Sequence, residues 1–258
     1  MRLHFWACKN TKNDSPPNTA GARSMLIVPT YNERENVAPL VARIRKADGR
    51  LPVLFVDDNS PDGTAHEIRR IQDTDAGVRL LQRPGKIGFG SACLDGMRLA
   101  LQENLAEFVI LADGDLSHPP EVLPLMIALL HEHDVVIGSR YIREGGVKDW
   151  DFFRRNLSYG ANLYARLLTG VPVCDLTAGF VGYRARALRA INLDAIAAEG
   201  YAFQIEMKVA LHRQGFDFYE FPIVFAGRNS GSSKFTSKIL FEGVRYPLTV
   251  MAQRFGLG

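Results

Sequence analysis

From residue 25 onward, short apolar runs alternate with segments in which apolar residues recur every three or four positions. MLIVPT reads as a strand, and ERENVAPLVARIRKA as a helix with Val37, Leu40, Val41 and Ile44 on one face. PVLFVDD is a second strand, followed by the turn NSPDGT and a helix ending near Gln72. VRLLQ, GFGSACLDGMRLALQE and FVILAD repeat the order strand, helix, strand. A helix is predicted from Pro120 to about His131, and DVVIGSRY is the next strand. Strands that alternate with helices of this length predict crossover connections and a mostly parallel central sheet flanked by helices, an α/β fold.

Beyond Tyr141 the pattern loosens. REGGVKDWD reads as a mobile loop, followed by a helix from Phe152 to about Leu168, a short strand near GFVGYR, a helix over AFQIEMKVALHRQ and a strand FDFYEFPIVF. The closing SKILFEGVRYPLTVMAQRF is amphipathic, and Pro247 is expected to kink it or start a second helix. Residues 1–24 read as a disordered tail ahead of one folded domain over 25–258, a size that a single core can still fill.

The remaining bulk properties narrow the class. Apolar residues make up 47% of the 258 and charged residues 23%, the balance of a globular chain. A net charge of +3 gives no case for nucleic-acid binding but leaves room for a local basic patch. Cys8, Cys93 and Cys174 lack metal-ligand spacing and are odd in number, which suits a reducing compartment. No apolar stretch approaches the roughly 18 residues needed to span a bilayer.

Ligands of open α/β sheets collect at the carboxyl ends of the strands, which here are PTYNE, VDDNS, DGD and GSRY. Asp113 and Asp115, one residue apart, raise each other's proton affinity unless a cation sits beside them. With the Ser117 hydroxyl they suit a hard divalent ion that draws its other ligands from water and phosphate. The competing reading is a helix cap by Asp115 or Ser117 ahead of Pro120. VDDNSPDGT is no EF-hand, because Arg69 stands where the closing glutamate belongs; Asp57 and Asp58 are left as acceptors for a ribose or base. RPGKIGFG fits no phosphate-loop spacing. Arg140, Arg154, Arg155, Arg228 and Lys234 follow the acidic turn, and arginines grip phosphate with paired hydrogen bonds. His118 is placed to orient the acidic turn, and no Ser/His/Asp or Cys/His set points to covalent hydrolysis.

Taken together, PTYNE, VDDNSPDGT, DGDLSHPP, GSRY, DLTAGFVGYR, YAFQIEM and RNSGSSK resemble the family 2 glycosyltransferases of the nucleotide-sugar-binding GT-A fold. Within them the likeness is to the dolichol-phosphate or polyprenol-phosphate mannosyltransferases, from Met25 to about Arg254. That resemblance implies a Rossmann-like catalytic domain that moves mannose from GDP-mannose to a polyprenyl phosphate, with Mg²⁺ or Mn²⁺ and inversion at the sugar carbon. UDP-glucose as donor, and a non-catalytic nucleotide-binding scaffold, are the alternatives.

Carried over by position, Pro29, Tyr31, Glu33, Val56 and Asp58 would hold base and ribose, with Asp113 and Gly114 facing the donor. Asp115 and Ser117 would hold the metal. Arg140 would serve both donor and acceptor phosphates, Arg154 and Arg155 the acceptor, and Arg228 and Lys234 a loop over the diphosphate. Gly114 departs from the alanine more usual between the two aspartates. The resemblance also implies a peripheral protein at the cytoplasmic face of a membrane, with a separate anchoring subunit as an alternative partner; Trp150, Phe152, Phe153 beside Arg154 and Arg155, and the closing helix (Ile239, Leu240, Val244, Leu248, Met251), offer a surface for the lipid, core packing being the competing reading for the helices.

Overall fold

A computed structural model describes residues 23–226 and 237–254, with side chains omitted for 237–241 and 254. Residues 1–22 of the predicted tail, Arg228, Lys234 and the side chains of Ile239 and Leu240 thus lie outside the described residues, whereas Ser24, assigned to the tail, is the first residue of a strand.

The elements run β1 (Ser24–Thr30), α1 (Arg34–Ala47), β2 (Val53–Asp57), α2 (Thr64–Gln72), β3 (Val78–Gln82), α3 (Phe89–Gln102), β4 (Phe108–Leu111), α4 (Leu123–Leu130) and β5 (Val135–Ser139). There follow β6 (Gly146–Val147), α5 (Phe152–Thr169), β7 (Val181–Arg184), α6 (Ala185–Arg189), α7 (Gly200–Arg213), β8 (Phe218–Pro222), β9 (Val224–Phe225) and α8 (Ser237–Arg254). Seven strands form one sheet in the order β3-β2-β1-β4-β7-β5-β8, parallel except for β7, which runs against both β4 and β5.

Both faces of the sheet are covered, so its strands are apolar almost throughout. Along β1, Met25 and Ile27 pack toward α3 while Leu26 and Val28 pack toward α1, the two-residue period dividing the side chains between two cores. Chain order reverses between β1 and β4: α1 carries the chain from β1 outward to β2, and α3 carries it back from β3 to β4 on the opposite face. A crevice opens at such a switch point, beyond the carboxyl ends of the two strands. PTYNE and DGD flank it.

Four local expectations are corrected. The stretch from Pro120 opens with one 3₁₀ turn, Pro120–Val122, before α4, because Pro124 at the head of α4 suits a new helical start. FDFYEFPIVF splits into β8 and β9 at Ile223, whose N–H donates to Ser139 O and whose side chain is buried. REGGVKDWD is partly ordered as a strand, since Gly146 and Val147 pair with Val224 and Phe225. The closing segment is one helix that runs through Pro247, which sets aside only the alternative of a second helix starting there.

Candidate functional site

On one wall of the crevice, the loop after β1 is tied to the loop after β2. Asn32 N–H donates to Ser60 Oγ at 3.0 Å, Glu33 N–H to Thr64 Oγ1 at 3.0 Å and Arg34 N–H to Asp62 at 3.1 Å. Tyr31 and Glu33 are half-buried at the opening, and the Lys86 ammonium lies 4.0 Å from the centre of the Tyr31 ring. Pro29 is buried in β1 and the Val56 side chain belongs to the core, so neither offers a side chain to a ligand.

The two aspartates at the carboxyl end of β2 are engaged within the protein rather than left open as base or ribose acceptors. Asp57 accepts from Thr30 Oγ1 and from both the N–H and the hydroxyl of Ser60. Asp58 is 5% exposed and accepts from Arg83 Nη1 at 2.6 Å, Ile87 N–H at 3.0 Å and Gly88 N–H at 2.9 Å. The reason is Arg83, itself buried, whose charge has to be met inside the fold; Asp58, Asp95 and Ser91 meet it. RPGKIGFG is therefore a loop pinned from within. Glu199, more than a hundred residues away, accepts from Gly90 N–H at 2.8 Å and Ser91 N–H at 3.3 Å at the start of α3. Gly88 has φ +140°, and a Cβ there would sit 2.7 Å from the Glu199 carboxylate.

The acidic turn on the other wall is over-determined. His118, 5% exposed, accepts the Asp113 N–H at Nδ1 (3.0 Å), and its Nε2 lies 3.8 Å from Asp113 Oδ2. The ring is stacked on Phe180 and meets the edge of Phe225. Asp115 is almost fully buried, and its Oδ1 accepts from Ser117 N–H at 3.1 Å and Ser117 Oγ at 2.5 Å. Between them Leu116 takes φ +64°, a left-handed conformation that a leucine holds only when its surroundings enforce it. Gly114 now has a cause: a Cβ there would stand 3.2 Å from Thr30 Cγ2, and Thr30 is held by Asp57.

Facing the acidic turn is a basic and aromatic cluster. Arg140 follows β5, and its guanidinium forks onto Asp175, Nε to Oδ2 at 2.7 Å and Nη2 to Oδ1 at 2.7 Å, with Nη2 also donating to Thr177. Asp175 is fully buried and accepts the Arg140 backbone N–H as well. Burial pulls the Arg140 pKa down, but Asp175 more than offsets this and holds it above the ordinary value. Glu220 fixes the segment from behind by accepting from the Cys174 and Asp175 N–H groups, and burial raises its own pKa. The Trp150 ring lies between two guanidiniums, with Arg140 6.0 Å and Arg154 4.3 Å from its centre. Arg154 and Arg155 stand exposed on the first turn of α5, which Asp151 caps through the Arg154 N–H.

Phe225 joins the two sides. Its ring is 5.5 Å from His118, 5.7 Å from Trp150 and 5.6 Å from the Arg140 guanidinium. The short β6–β9 ribbon thereby brings the acidic turn and the arginines to one place. Asp175, Phe225, Arg83 and Glu199 carry no spacing signal in the sequence, because carboxylate and arginine partners such as Asp58 for Arg83 and Arg140 for Asp175, and the amides that Glu199 accepts, lie 25 to 109 residues away.

One further buried charge supports this wall. Lys208 on α7 is fully buried, and its ammonium donates to Ala178 O at 2.8 Å. Burial lowers its pKa from 10.5 to about 7, partly countered by Asp175. Between those two values the unfolded chain holds a proton that the folded protein has released, so stability rises with pH there and is flat below about pH 7. Chemical denaturation from pH 7 to 9 is expected to show a rise of up to about 1.4 kcal/mol per pH unit that Lys208→Met removes. Parallel curves for the two proteins would count against it.

An open, mostly parallel sheet with nucleotide-type loops at its switch point and an Asp-x-Asp turn beside them is the GT-A architecture of nucleotide-sugar glycosyltransferases. The chain belongs to glycosyl transferase family 2, whose model matches residues 25–191. It is 39% identical to an undecaprenyl-phosphate mannosyltransferase of Micrococcus luteus, over 91% of this chain and 94% of the relative. It is 40% identical to a polyprenol monophosphomannose synthase of Mycolicibacterium smegmatis, over 86% of this chain and 84% of the relative.

Solved structures share the fold. Glucosyl-3-phosphoglycerate synthase of Mycobacterium tuberculosis, in complex with Mn²⁺, uridine diphosphate and glucosyl-3-phosphoglycerate, superposes with a TM-score of 0.64 at 16% identity, covering 96% of this chain and 88% of that one. A mannosyltransferase of Pyrobaculum calidifontis, in complex with GDP-mannose and Mn²⁺, gives 0.58 at 17% identity, covering 95% and 78%.

Proposed function

We propose that the chain transfers mannose from GDP-mannose to the phosphate of a polyprenyl or dolichyl monophosphate, giving a lipid-phosphate mannose. The observation that carries this is the junction at Phe225, which sets an acidic turn against a cluster of arginines in one crevice. Two relatives named for mannose transfer to polyprenyl phosphates support the choice of substrates.

The acceptor explains why no general base is needed. A phosphate monoester has a second pKa of about 6, so at neutral pH its oxygen is already a nucleophile. That oxygen forms a bond to the anomeric carbon from the face opposite the diphosphate, the bond from carbon to diphosphate breaks, and GDP departs with the electron pair. Configuration at the sugar is inverted. The protein has to neutralise and position charge.

Tyr31 and Glu33 take the base and ribose, with Pro29, Val56 and Asp58 shaping the wall behind them, and Asp113 and Gly114 face the donor. Asp115 and Ser117 fit Mg²⁺ or Mn²⁺: both offer hard oxygen ligands, and the Ser117 hydroxyl, which donates its hydrogen bond to Asp115, keeps its lone pairs for a cation. Such an ion supplies charge neutralisation at the leaving diphosphate. Arg140, with Nη1 left over from its fork onto Asp175, holds phosphate at the centre, and Arg154 and Arg155 receive the acceptor phosphate. Arg228 and Lys234 complete the donor side.

The lipid has a surface to lie on. Among the described residues no helix is long and apolar enough to cross a membrane. α5 instead turns Phe152 (83% exposed), Phe153 (75%), Leu157, Leu163 and Leu167 outward, and α8 adds Val244 and Leu248 beside it, joined where the Tyr164 hydroxyl donates to Val244 O. With Arg154 and Arg155 at one end, this face suits peripheral contact with an anionic membrane, which we place at its cytoplasmic side. The named relatives lend no support to a separate anchoring subunit, and it is not included.

The test is to supply the purified protein with labelled GDP-mannose or UDP-glucose, Mn²⁺ and vesicles containing a polyprenyl phosphate. Label is expected in the lipid from GDP-mannose, and sedimentation with the vesicles is expected to fall in the Phe152→Ser, Phe153→Ser double variant. Label from UDP-glucose alone would move the donor to that sugar. No label from either donor would sink the transferase reading.

A further inference from the structure

Gln204 lies on the second turn of α7 and is 2% exposed, yet neither its amide oxygen nor its amide nitrogen has a hydrogen-bond partner among the described residues. A side-chain amide carries two donors and two acceptor lone pairs, and leaving them unmet in the interior costs free energy. Native folds seldom leave such a group bare without a use for it.

The amide points toward the acidic turn. Its nitrogen lies 3.8 Å from the point that a Cβ on Gly179 would occupy, and Asp113 Oδ1 lies 3.7 Å and His118 Cε1 3.6 Å from that same point. The absent side chain of Gly179 thus leaves a small space bordered by an amide, a carboxylate and a histidine ring. Gly179 is itself half-buried, two residues beyond Thr177, which accepts from the Arg140 guanidinium. The backbone around it is held in place: Lys208, one turn further along α7, donates to Ala178 O and Gln204 O, and Asp175 fixes the same segment through Arg140.

The chemistry of the space selects its occupant. Beside the Asp113 carboxylate, a phosphate would be repelled. A neutral amide that both gives and accepts hydrogen bonds matches a neutral group that does the same, such as the hydroxyls of a sugar. We propose that Gln204 is a specificity-determining residue for the transferred hexose, its amide pairing with hydroxyls of the sugar next to Asp113. This rests on the sugar-transfer reading above and deepens it.

The experiment compares wild type with Gln204→Leu, in the presence of Mn²⁺, for binding of GDP, binding of GDP-mannose, and transfer. GDP affinity is expected to stay within about twofold while kcat/KM for GDP-mannose falls about tenfold, the loss of a hydrogen-bonded pair. The denaturation midpoint is expected to hold or rise, since an unmet buried amide has been removed. A series of GDP-deoxymannoses locates the contact: one missing hydroxyl should cost wild type about tenfold and cost Gln204→Leu nothing more.

If GDP and GDP-mannose weaken equally, or if both proteins discriminate among the deoxy sugars alike, the assignment is overturned. Should Gln204→Leu fail to fold, Gln204→Asn, which withdraws the amide by one methylene, is read by the same criteria. Failure of the mannosyl reading shows separately, as absence of transfer by wild type; the comparison then runs with whichever sugar nucleotide is active.

Discussion

Asp115→Asn is expected to reduce sugar transfer by about a thousandfold, corresponding to loss of several kcal/mol of charge stabilisation at the leaving diphosphate, while leaving the fold intact or slightly more stable. The two halves of this expectation come from different contacts. Asparagine keeps an oxygen that can accept from Ser117 N–H and Ser117 Oγ, so the turn that forces Leu116 to φ +64° stays tied. What disappears is a negative charge beside Asp113, and with it the repulsion that the folded protein bears when no cation is bound. Activity and stability therefore move in opposite directions, the pattern expected of a residue kept for function. Asp115→Ala differs in one respect: it also leaves the Ser117 donors without an acceptor and is expected to unfold earlier. Initial rates over a Mn²⁺ titration and thermal melts of the three proteins check the expectation. Transfer retained by Asp115→Asn at the wild-type level would mean that this turn is a helix cap and that the metal is held elsewhere.

How far the sequence foretold this molecule depends on the range of the interactions involved. β1, β2, β4 and β5 were legible because a strand covered on both faces must be apolar at nearly every position, a signal contained within five or six residues. The helices between them were legible from their period. The β6–β9 ribbon was not, since two-residue strands carry no period at all. At the site, the residues that face the crevice stood out as polar strand ends, whereas those that hold them did not. Arg140 reads as a free phosphate ligand until Asp175 is brought against it by β7, a strand inserted antiparallel between β4 and β5. Asp58 reads as a ribose acceptor until the parallel register of β2 and β3 sets Asp57 beside Gln82 and hence Asp58 near Arg83. Gly114 illustrates the same limit, for its reason is the methyl group of Thr30 on a neighbouring strand.

The fork from Arg140 to Asp175 carries the second large effect, and it falls on stability. With the Asp175 side chain fully buried and that of Arg140 7% exposed, removal of either partner leaves a charge in the interior without its counter-charge. Asp175→Ala is expected to destabilise the protein by about 3–5 kcal/mol, because Thr177 alone remains to Arg140 and a hydroxyl cannot replace a carboxylate. The loss should show as a lower denaturant midpoint with an unchanged slope. Asp175→Asn should fall between, since one amide oxygen can still accept but its NH₂ faces guanidinium donors. The pair itself, however, is not worth that much: its mutual attraction is largely spent on stripping water from two ions. Arg140→Leu combined with Asp175→Leu should therefore cost less than Asp175→Ala alone, a non-additivity that a sum of independent contacts forbids. An additive double variant, or a silent Asp175→Ala, would show that water reaches Arg140 and screens it. The same pair has a use under the proposed function: with Nε and Nη2 locked onto Asp175 the guanidinium cannot swing, so a phosphate bound at Nη1 would meet a donor that the fold has already positioned.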